Sequence, residues 1–217
     1  MSVMSSALDR IVKTLGRPAT ARRQAMKEAM PQATLSAEHT RDCRVLPDRH
    51  ILLDLMPKGA VCAEVGVAFG DYSAEIIART TPSKLYLVDA WGSARYEDGL
   101  RQVEERLKGP LSAGQVEIRR GFSTVVLAAL PDDHLDWVYI DTNHSFETTM
   151  AELTLCDRKV KADGLVAGHD FCTGNVVAPV PYGVIEACNQ FCVAFGWQYK
   201  YLTLESHGYF SFCLSRR

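Results

Sequence analysis

Two acidic residues, Asp141 and Asp170, stand just after short apolar runs that have the composition of buried strands. Parallel strands end at a common edge of a sheet, so the two carboxylates are predicted to lie close together. Without a counter-ion one of them would take up a proton, and a hard divalent cation removes that repulsion. Such a cation also lowers the pKa of a bound hydroxyl group and orients it. The pair therefore predicts a divalent-cation site.

Histidines adjoin both acids and could supply a base or a further ligand. His144 lies three residues after Asp141, and its ordinary pKa near neutrality makes it the best candidate for a general base. The alternatives for His144 are a metal ligand or a structural loop histidine that caps the following helix or forms a hydrogen bond with Glu147. Asn143 or His169 could complete the cation site. Oxygen ligands suit Mg²⁺, whereas an imidazole shifts the preference toward Mn²⁺.

A glycine-containing segment, Glu64–Ser73, follows an earlier apolar run and predicts a close approach of the backbone to a ligand. Gly66 and Gly70 permit the sharp turn that this approach requires. Ala68 occupies the position of the second glycine in the dinucleotide fingerprint G-x-G-x-x-G, which disfavours NAD. The Glu64 carboxylate would also repel a phosphate, whereas it suits a ligand that carries an ammonium and a sulfonium group.

A further acid, Asp89, ends the next apolar run, about 20 residues beyond the glycine loop. An acid at this position is placed to accept hydrogen bonds from both hydroxyls of a ribose. The following run ends in Arg120–Ser123, where the edge of a base would lie. The alternative interpretation is an ordinary turn with a helix-capping aspartate. The ordered set of acids and glycines at successive strand ends favours a ligand site.

The elements that position these residues alternate between strand-like and helix-like patterns. The predicted strands are Ala60–Val65, Lys84–Val88, Val116–Ile118, Leu135–Ile140, Leu165–Ala167, Gln198–Leu204 and Tyr209–Leu214. The predicted helices are Tyr72–Arg79, Tyr96–Leu107, Thr124–Leu130, Phe146–Val160 and Val184–Phe195. This alternation predicts a doubly wound, Rossmann-like α/β sheet of seven strands. Five strands are parallel, and the short connection Ser206–Gly208 makes the last two an antiparallel hairpin.

Residues 1–45 are predicted to form a helical N-terminal extension before a ligand-binding domain of residues 46–217. The segment from about Ser5 to Glu38 is basic and helix-prone. Its apolar residues recur at helical spacing, namely Leu8, Ile11, Val12 and Leu15. The extension is predicted to be a cap over the site or a contact in a homo-oligomer. The alternative is a solvated, partly disordered arm.

The composition excludes several classes of protein. A net charge of −2 argues against a general nucleic-acid binder. No apolar run reaches the roughly 18 residues of a membrane span, and the first residues lack the apolar core of a secretory signal. We therefore expect a cytoplasmic protein without a membrane or nucleic-acid partner. The seven cysteines are odd in number and scattered, which favours buried thiols over disulfides or a zinc site.

Four motifs in this order resemble those of the class I S-adenosylmethionine-dependent methyltransferases, within them the small-molecule O-methyltransferase-like branch. They stand here as Glu64–Ser73, Leu87–Trp91, Tyr139–Glu147 and Gly168–Phe171, and the resemblance runs from about residue 58 to the end. It implies that the glycine loop holds the methionine part of the cofactor, Asp89 the ribose, and the segment after the third strand the adenine. Many relatives carry an aspartate where this chain has Phe122, so the polar recognition of the adenine amino group differs here.

The resemblance implies a set of site residues by motif position. Those implied to bind S-adenosyl-L-methionine are Glu64, Gly66, Val67, Gly70, Tyr72, Ser73, Asp89, Ala90, Trp91, Gly121, Phe122, Ser123 and Asp141. His144 and Asp141 are the predicted catalytic residues, and Asp141, Asp170 and His169 the predicted metal ligands. Trp91, Tyr96 and Tyr182 are predicted walls of the pocket.

The predicted activity is O-methylation of a small hydroxylated molecule, such as a sugar, a phenol or a secondary metabolite, assisted by Mg²⁺ or another divalent cation. One alternative is a metal-free methyltransferase with His144 as its base. Another is a cofactor-binding module without catalysis. A nucleic-acid methyltransferase is disfavoured because the chain has neither an N/D-P-P-Y/F motif nor a basic domain.

Overall fold

The computed structural model describes residues 17–177 and 179–217. Its strands are β1 (Arg44–Leu46), β2 (Val61–Val65), β3 (Lys84–Asp89), β4 (Val116–Arg120), β5 (Leu135–Ile140), β6 (Val160–Gly168), β7 (Gly174–Asn175), β8 (Val180–Pro181), β9 (Trp197–Thr203) and β10 (Phe212–Arg216). Its helices are α1 (residues 17–29), α2 (Arg49–Leu55), α3 (Asp71–Thr80), α4 (Gly99–Arg106), α5 (Lys108–Ser112), α6 (Ser123–Ala129), α7 (Phe146–Lys159) and α8 (Val184–Phe195).

One eight-stranded sheet has the order β1-β9-β10-β6-β5-β2-β3-β4, and β7 pairs with β8 in a separate hairpin. The five strands β6, β5, β2, β3 and β4 run parallel. β10 lies antiparallel between β6 and β9. The predicted doubly wound, Rossmann-like sheet with a C-terminal antiparallel pair is therefore confirmed. The strand order reverses at β2, which places the topological switch point where β2 and β5 end.

The sheet has eight strands rather than the predicted seven. The additional strand, β1, pairs in parallel with β9, with Arg44 opposite Tyr201 and Leu46 opposite Thr203. Its three residues include a single buried side chain, which is too short a pattern to signal a strand. The predicted boundary between residues 45 and 46 falls within this strand. Helices α2 and α5 and the β7–β8 hairpin were also not predicted.

Apolar layers cover both faces of the sheet. Alternate residues of β5 divide between them, because Val138 packs in the layer under α6, α7 and α8 while Trp137 and Tyr139 pack under α2 and α3. Strands buried on both faces read as nearly continuous apolar runs, as these do. All seven cysteines are free thiols, and five of them are buried. The prediction of thiols without disulfides therefore agrees with the structure.

The N-terminal helix α1 packs against the segment that joins β8 to α8. Lys27 Nζ donates to the Tyr182 carbonyl oxygen at 2.9 Å and to Glu186 Oε1 at 2.5 Å. The predicted apolar stripe of Leu8, Ile11, Val12 and Leu15 lies outside the described residues. Among the residues that the structure does describe, no helix combines the length and the apolar character that a bilayer crossing requires.

Candidate active site

A pocket of about 670 Å³ opens at the carboxyl edge of the sheet, at the switch point between β2 and β5. This volume is in the range of small-molecule sites. Its lining contains predicted site residues from every parallel strand end except that of β6, namely Gly66, Asp89, Ala90, Gly121, Phe122, Ser123, Asp141 and His144. The predicted wall residues Tyr96 and Tyr182 also line it.

The glycine loop after β2 lies against the loop after β5 with no room for a side chain. Gly66 has φ +93°, and a Cβ there would lie 1.9 Å from the carbonyl oxygen of Asp141. The Asp141 amide donates to the Val65 carbonyl at 2.7 Å, which continues the strand pairing into the loop. Gly70, with φ +76°, stands at the N-cap of α3. Both glycines are therefore required by backbone geometry, as the sequence predicted.

The Asp89 carboxylate connects the loop after β2 to the loop after β3 through hydrogen bonds. Its Oδ2 accepts hydrogen bonds from the amides of Val67 and Ala68 at 2.9 and 3.0 Å, and its Oδ1 accepts from the Trp91 amide at 2.8 Å. The Trp91 indole donates to the Ala68 carbonyl at 2.8 Å and is buried, so Trp91 joins the loops instead of forming a pocket wall. Each carboxylate oxygen has two lone pairs, so Oδ2 is fully used and Oδ1 can accept one further hydrogen bond, such as one from a ribose hydroxyl.

Other residues predicted to bind the cofactor lie outside the pocket lining: Glu64, Val67, Gly70, Tyr72, Ser73 and Trp91. Glu64 is buried and accepts a hydrogen bond from the Ser73 hydroxyl. Burial raises the pKa of Glu64 to about 8, and the hydrogen bond from Ser73 opposes part of that rise. The Tyr72 ring packs 4.5 Å from that of Tyr139, measured between centroids. The roles of these residues toward a cofactor remain predictions.

The structure brings Asp141 and Asp170 together with His144. One ligand atom from each lies within 4.8 Å of the other two, a grouping that could hold a metal ion. His144 Nε2 lies 3.1 Å from Asp170 Oδ2. His169 was predicted as the third ligand, and its Nδ1 stands 3.7 Å from both Asp141 Oδ2 and Asp170 Oδ2. Both imidazoles therefore lie near the two carboxylates, and the ligand role of His169 stays a prediction.

The two carboxylates of this grouping differ in their pKa. Burial raises the pKa of Asp141, and the charge of Asp170 adds to the rise, while His169 opposes it. Burial also acts to raise the pKa of Asp170, but the nearby imidazoles of His169 and His144 bring it below its usual value. Asp170 is thus the more readily ionised member, and Asp141 is the one that would take up a proton.

Non-glycine residues with positive φ occur in four of the loops that carry site residues. They are Ala68 at 52°, Trp91 at 44°, His144 at 61° and Asp170 at 55°. Such backbone is costly and persists where the surroundings enforce it, often at functional sites. The helix-capping alternative for His144 is not realised, because the side chain of Ser145 caps α7 by accepting from the Thr148 amide at 3.2 Å. The His144 ring instead packs against Tyr182, with centroids 4.5 Å apart.

Two charged residues near the site were not predicted from the sequence. The Arg49 guanidinium, from α2, lies 4.6 Å from the Tyr72 ring centroid. Burial acts to lower the pKa of Arg49, but Tyr139, Tyr72 and Asp141 raise it overall. Glu152, from α7, is buried and accepts a hydrogen bond from the Thr142 hydroxyl at 3.0 Å. Neither belongs to a motif, and a charged residue on an amphipathic helix carries no signal of what it contacts.

Comparison with known protein families gives one match at the level of sequence. The profile of a family described as a methyltransferase domain matches residues 63–171, which spans the glycine loop, Asp89, Asp141, His144 and Asp170. The comparison with curated proteins gave no match.

Solved structures show the same fold at low sequence identity. The pyocyanin biosynthetic protein PhzM gives a TM-score of 0.57 at 15% identity, over 77% of this chain and 54% of PhzM. A SAM-dependent methyltransferase from Aquifex aeolicus gives 0.56 at 15% identity, over 76% of this chain and 87% of that one. A protein assigned to the O-methyltransferases from Nostoc punctiforme gives 0.56 at 13% identity, over 76% and 55%. The chain thus spans about half the length of PhzM and of the Nostoc protein.

Proposed function

This chain belongs to the class I S-adenosylmethionine-dependent methyltransferases, and from that membership we propose that it methylates an oxygen atom of a small hydroxylated acceptor with the help of a divalent cation. The observation that supports this proposal most strongly is the grouping of Asp141, His144 and Asp170. Two of the three, Asp141 and His144, also line the pocket. An acceptor hydroxyl is a poor nucleophile near neutral pH because it keeps its proton. These residues could activate the hydroxyl, either by holding a cation or by taking up the proton.

The donor set fits a divalent cation. Asp141 and Asp170 would hold it through oxygen, with His144 as a third ligand, and the imidazole favours Mn²⁺ over Mg²⁺. When bound, the cation lowers the pKa of an acceptor hydroxyl and orients it. Asp141 has a raised pKa beside Asp170, so a cation would relieve the repulsion that the isolated pair experiences.

The pairing of His144 with Asp170 favours a second candidate function, a metal-free methyltransferase. With 3.1 Å between His144 Nε2 and Asp170 Oδ2, the imidazole can donate from Nε2 and keep Nδ1 free to take a proton. Asp170 would then orient the ring and stabilise the imidazolium that forms, as the aspartate of a catalytic triad does. In this version His144 acts on the acceptor directly, and Asp170 acts through His144.

The pocket lining supports the cofactor orientation that the motifs imply. Gly66 borders the region proposed for the methionine part, Asp89 that for the ribose, and Phe122 that for the adenine. The Phe122 side chain is 75% exposed, so its ring can cover a base. These placements and a small-molecule acceptor in preference to nucleic acid are parts of the proposal.

The N-terminal extension is proposed to cap the acceptor side of the pocket. Lys27 bonds to the Tyr182 carbonyl, and the Tyr182 side chain lines the pocket. Deletion of residues 1–38 should therefore leave cofactor affinity nearly intact while abolishing acceptor turnover. Calorimetry with S-adenosylhomocysteine and a turnover assay on the truncated protein test this. Full turnover without the extension would make it dispensable.

The deciding experiment combines chelation with crystallography. Turnover on a panel of phenols and sugars should disappear in EDTA and return with Mn²⁺ or Mg²⁺, and crystals soaked with S-adenosylhomocysteine and Mn²⁺ should show metal density between Asp141 and Asp170. Full activity in EDTA, with no metal found by elemental analysis, would favour the metal-free enzyme. Cofactor binding without turnover on any acceptor would favour a non-catalytic module.

A further inference from the structure

Glu152 is a buried acid directly behind the pocket wall. It lies on α7 next to the core residue Leu153, and both residues are 0% exposed. Its Oε2 accepts a hydrogen bond from the Thr142 hydroxyl at 3.0 Å. Its Oε1 is buried and has no hydrogen-bond partner in the part of the chain that the structure describes. A carboxyl group buried in this way is costly, so its presence calls for a role.

One hydroxyl group connects Glu152 to the pocket. The Thr142 hydroxyl donates to Glu152 Oε2 at 3.0 Å, and Thr142 lines the pocket. Burial raises the pKa of Glu152 to about 7, and hydroxyl groups beside the carboxyl oppose that rise. Thr142 therefore reaches from the buried acid to the ligand space.

Phe122 also lines the pocket. A phenyl ring cannot accept a hydrogen bond from an amino group as a carboxylate does. In the proposed cofactor orientation, this is where the adenine lies. Polar recognition of its exocyclic amino group must then come from other lining residues.

We propose that Glu152 is a positioning residue that makes Thr142 a hydrogen-bond acceptor toward the exocyclic amino group of adenine, an inference that rests on the proposed function. A hydroxyl has one proton, and a hydroxyl that donates it to a carboxylate presents only lone pairs elsewhere. The wall therefore accepts from a 6-amino purine. It opposes a 6-oxo purine, whose oxygen would meet those lone pairs without a proton between them.

The experiment compares two nucleosides by calorimetry at about pH 8, where the Glu152 carboxylate is ionised. The probes are S-adenosylhomocysteine and its 6-oxo analogue, S-inosylhomocysteine. The wild type should prefer the amino form by about 100-fold, because a site built for one hydrogen-bond pattern rejects its reverse. Glu152→Gln should reduce this preference about tenfold, because an amide also donates and lets the Thr142 hydroxyl turn its proton outward. Thr142→Val, which removes that hydroxyl, should reduce it similarly.

The matched control is Asp157→Asn on the same helix. Asp157 accepts from the Trp197 indole at 2.8 Å, away from the pocket lining, so this variant perturbs α7 without touching the Thr142 hydroxyl. It should keep the wild-type preference. If Glu152→Gln does not fold, Thr142→Val decides the question.

Three outcomes separate this inference from the proposed function. Wild-type preference retained in both Glu152→Gln and Thr142→Val would overturn the inference and leave the proposed function standing. A wild type that binds both nucleosides equally would do the same. A wild type that binds neither would overturn both.

Discussion

The acidic residues at the two ends of β5 and β6 have different kinds of charged partners. At the amino end, Asp136 accepts from Lys161 Nζ at 2.6 Å and from the Val61 amide at 2.7 Å. At the carboxyl end, Asp141 and Asp170 have ion-pair contacts only with the imidazoles of His144 and His169 among the described residues. A lysine carries a permanent charge near neutral pH, whereas an imidazole does not.

The pKa values of Asp136 and Asp141 are shifted in opposite directions, in line with this difference. Burial acts to raise the pKa of Asp136, but Lys161 and the Val61 amide bring it below its usual value. The pKa of Asp141 is raised, with burial as the main cause. The amino end thus neutralises its acid within the fold. At the carboxyl end the histidines favour the ionised form of Asp170, whereas Asp141 is left to be neutralised by a proton or by a bound cation.

The largest expected effect is on catalysis at the carboxyl end. Asp170→Asn should lower kcat about 100-fold or more while the affinity for S-adenosylmethionine changes little, because Asp170 serves the acceptor in both versions of the mechanism. Steady-state kinetics and calorimetry measure the two quantities. The matched control, Asp136→Asn, should retain kcat per folded molecule. Equal losses of kcat in the two variants would show that the two ends of the sheet do not differ in their role in turnover.

The next effect is on cofactor binding at the same edge. Asp89→Ala should weaken S-adenosylmethionine binding by about 1.5–3 kcal/mol, the cost of leaving buried ribose hydroxyls without a partner. Because Asp89 also holds the amides of Val67 and Ala68, the variant should lose order in the glycine loop. Calorimetry gives the affinity, and hydrogen exchange of the loop amides separates the two contributions. Unchanged affinity would exclude Asp89 from the site.

The sequence predicted the parts of the site that depend on backbone position. Gly66 and Gly70 could be identified because their turns admit no side chain, and Asp141 and Asp170 because acids that follow buried strands meet at one edge. Side-chain direction within a loop was not predictable. His144 lies beside Asp170 with a positive φ, a backbone conformation that no sequence pattern signals.

Long-range pairings were the other part that the sequence could not supply. Arg49 and Glu152 reach the site from helices outside the motifs, and their partners Tyr72 and Thr142 lie far from them along the chain or on another element. The short strand β1 depends in the same way on its pairing with β9. Local composition determines none of these contacts, since each depends on tertiary packing.

A smaller effect is expected on stability at the amino end. Asp136→Asn should lower the free energy of unfolding by about 1–2 kcal/mol near neutral pH, because it leaves Lys161 without its carboxylate. The folded-state pKa of Asp136 is lowered, so its contribution is present above its unfolded pKa and disappears as the pH falls through the folded value. Urea unfolding of both proteins at several pH values tests this. A difference that persists in strong acid would contradict the electrostatic origin.

The smallest effect has the opposite sign and is expected for Asp141→Asn. Because the folded-state pKa of Asp141 is raised, the folded protein binds this proton more tightly than the unfolded chain does, and stability falls as the pH rises between the two values. Asparagine resembles the protonated acid, so in EDTA the variant should be more stable than the wild type by roughly 0.5–1 kcal/mol near neutral pH and equally stable in acid. Adding Mn²⁺ should reverse the order, since a cation that binds only the folded state stabilises the wild type but not the variant. Urea unfolding with and without the metal measures both differences. If Asp141→Asn and Asp136→Asn shifted stability in the same direction in EDTA, the two ends of the sheet would not differ as their contacts indicate.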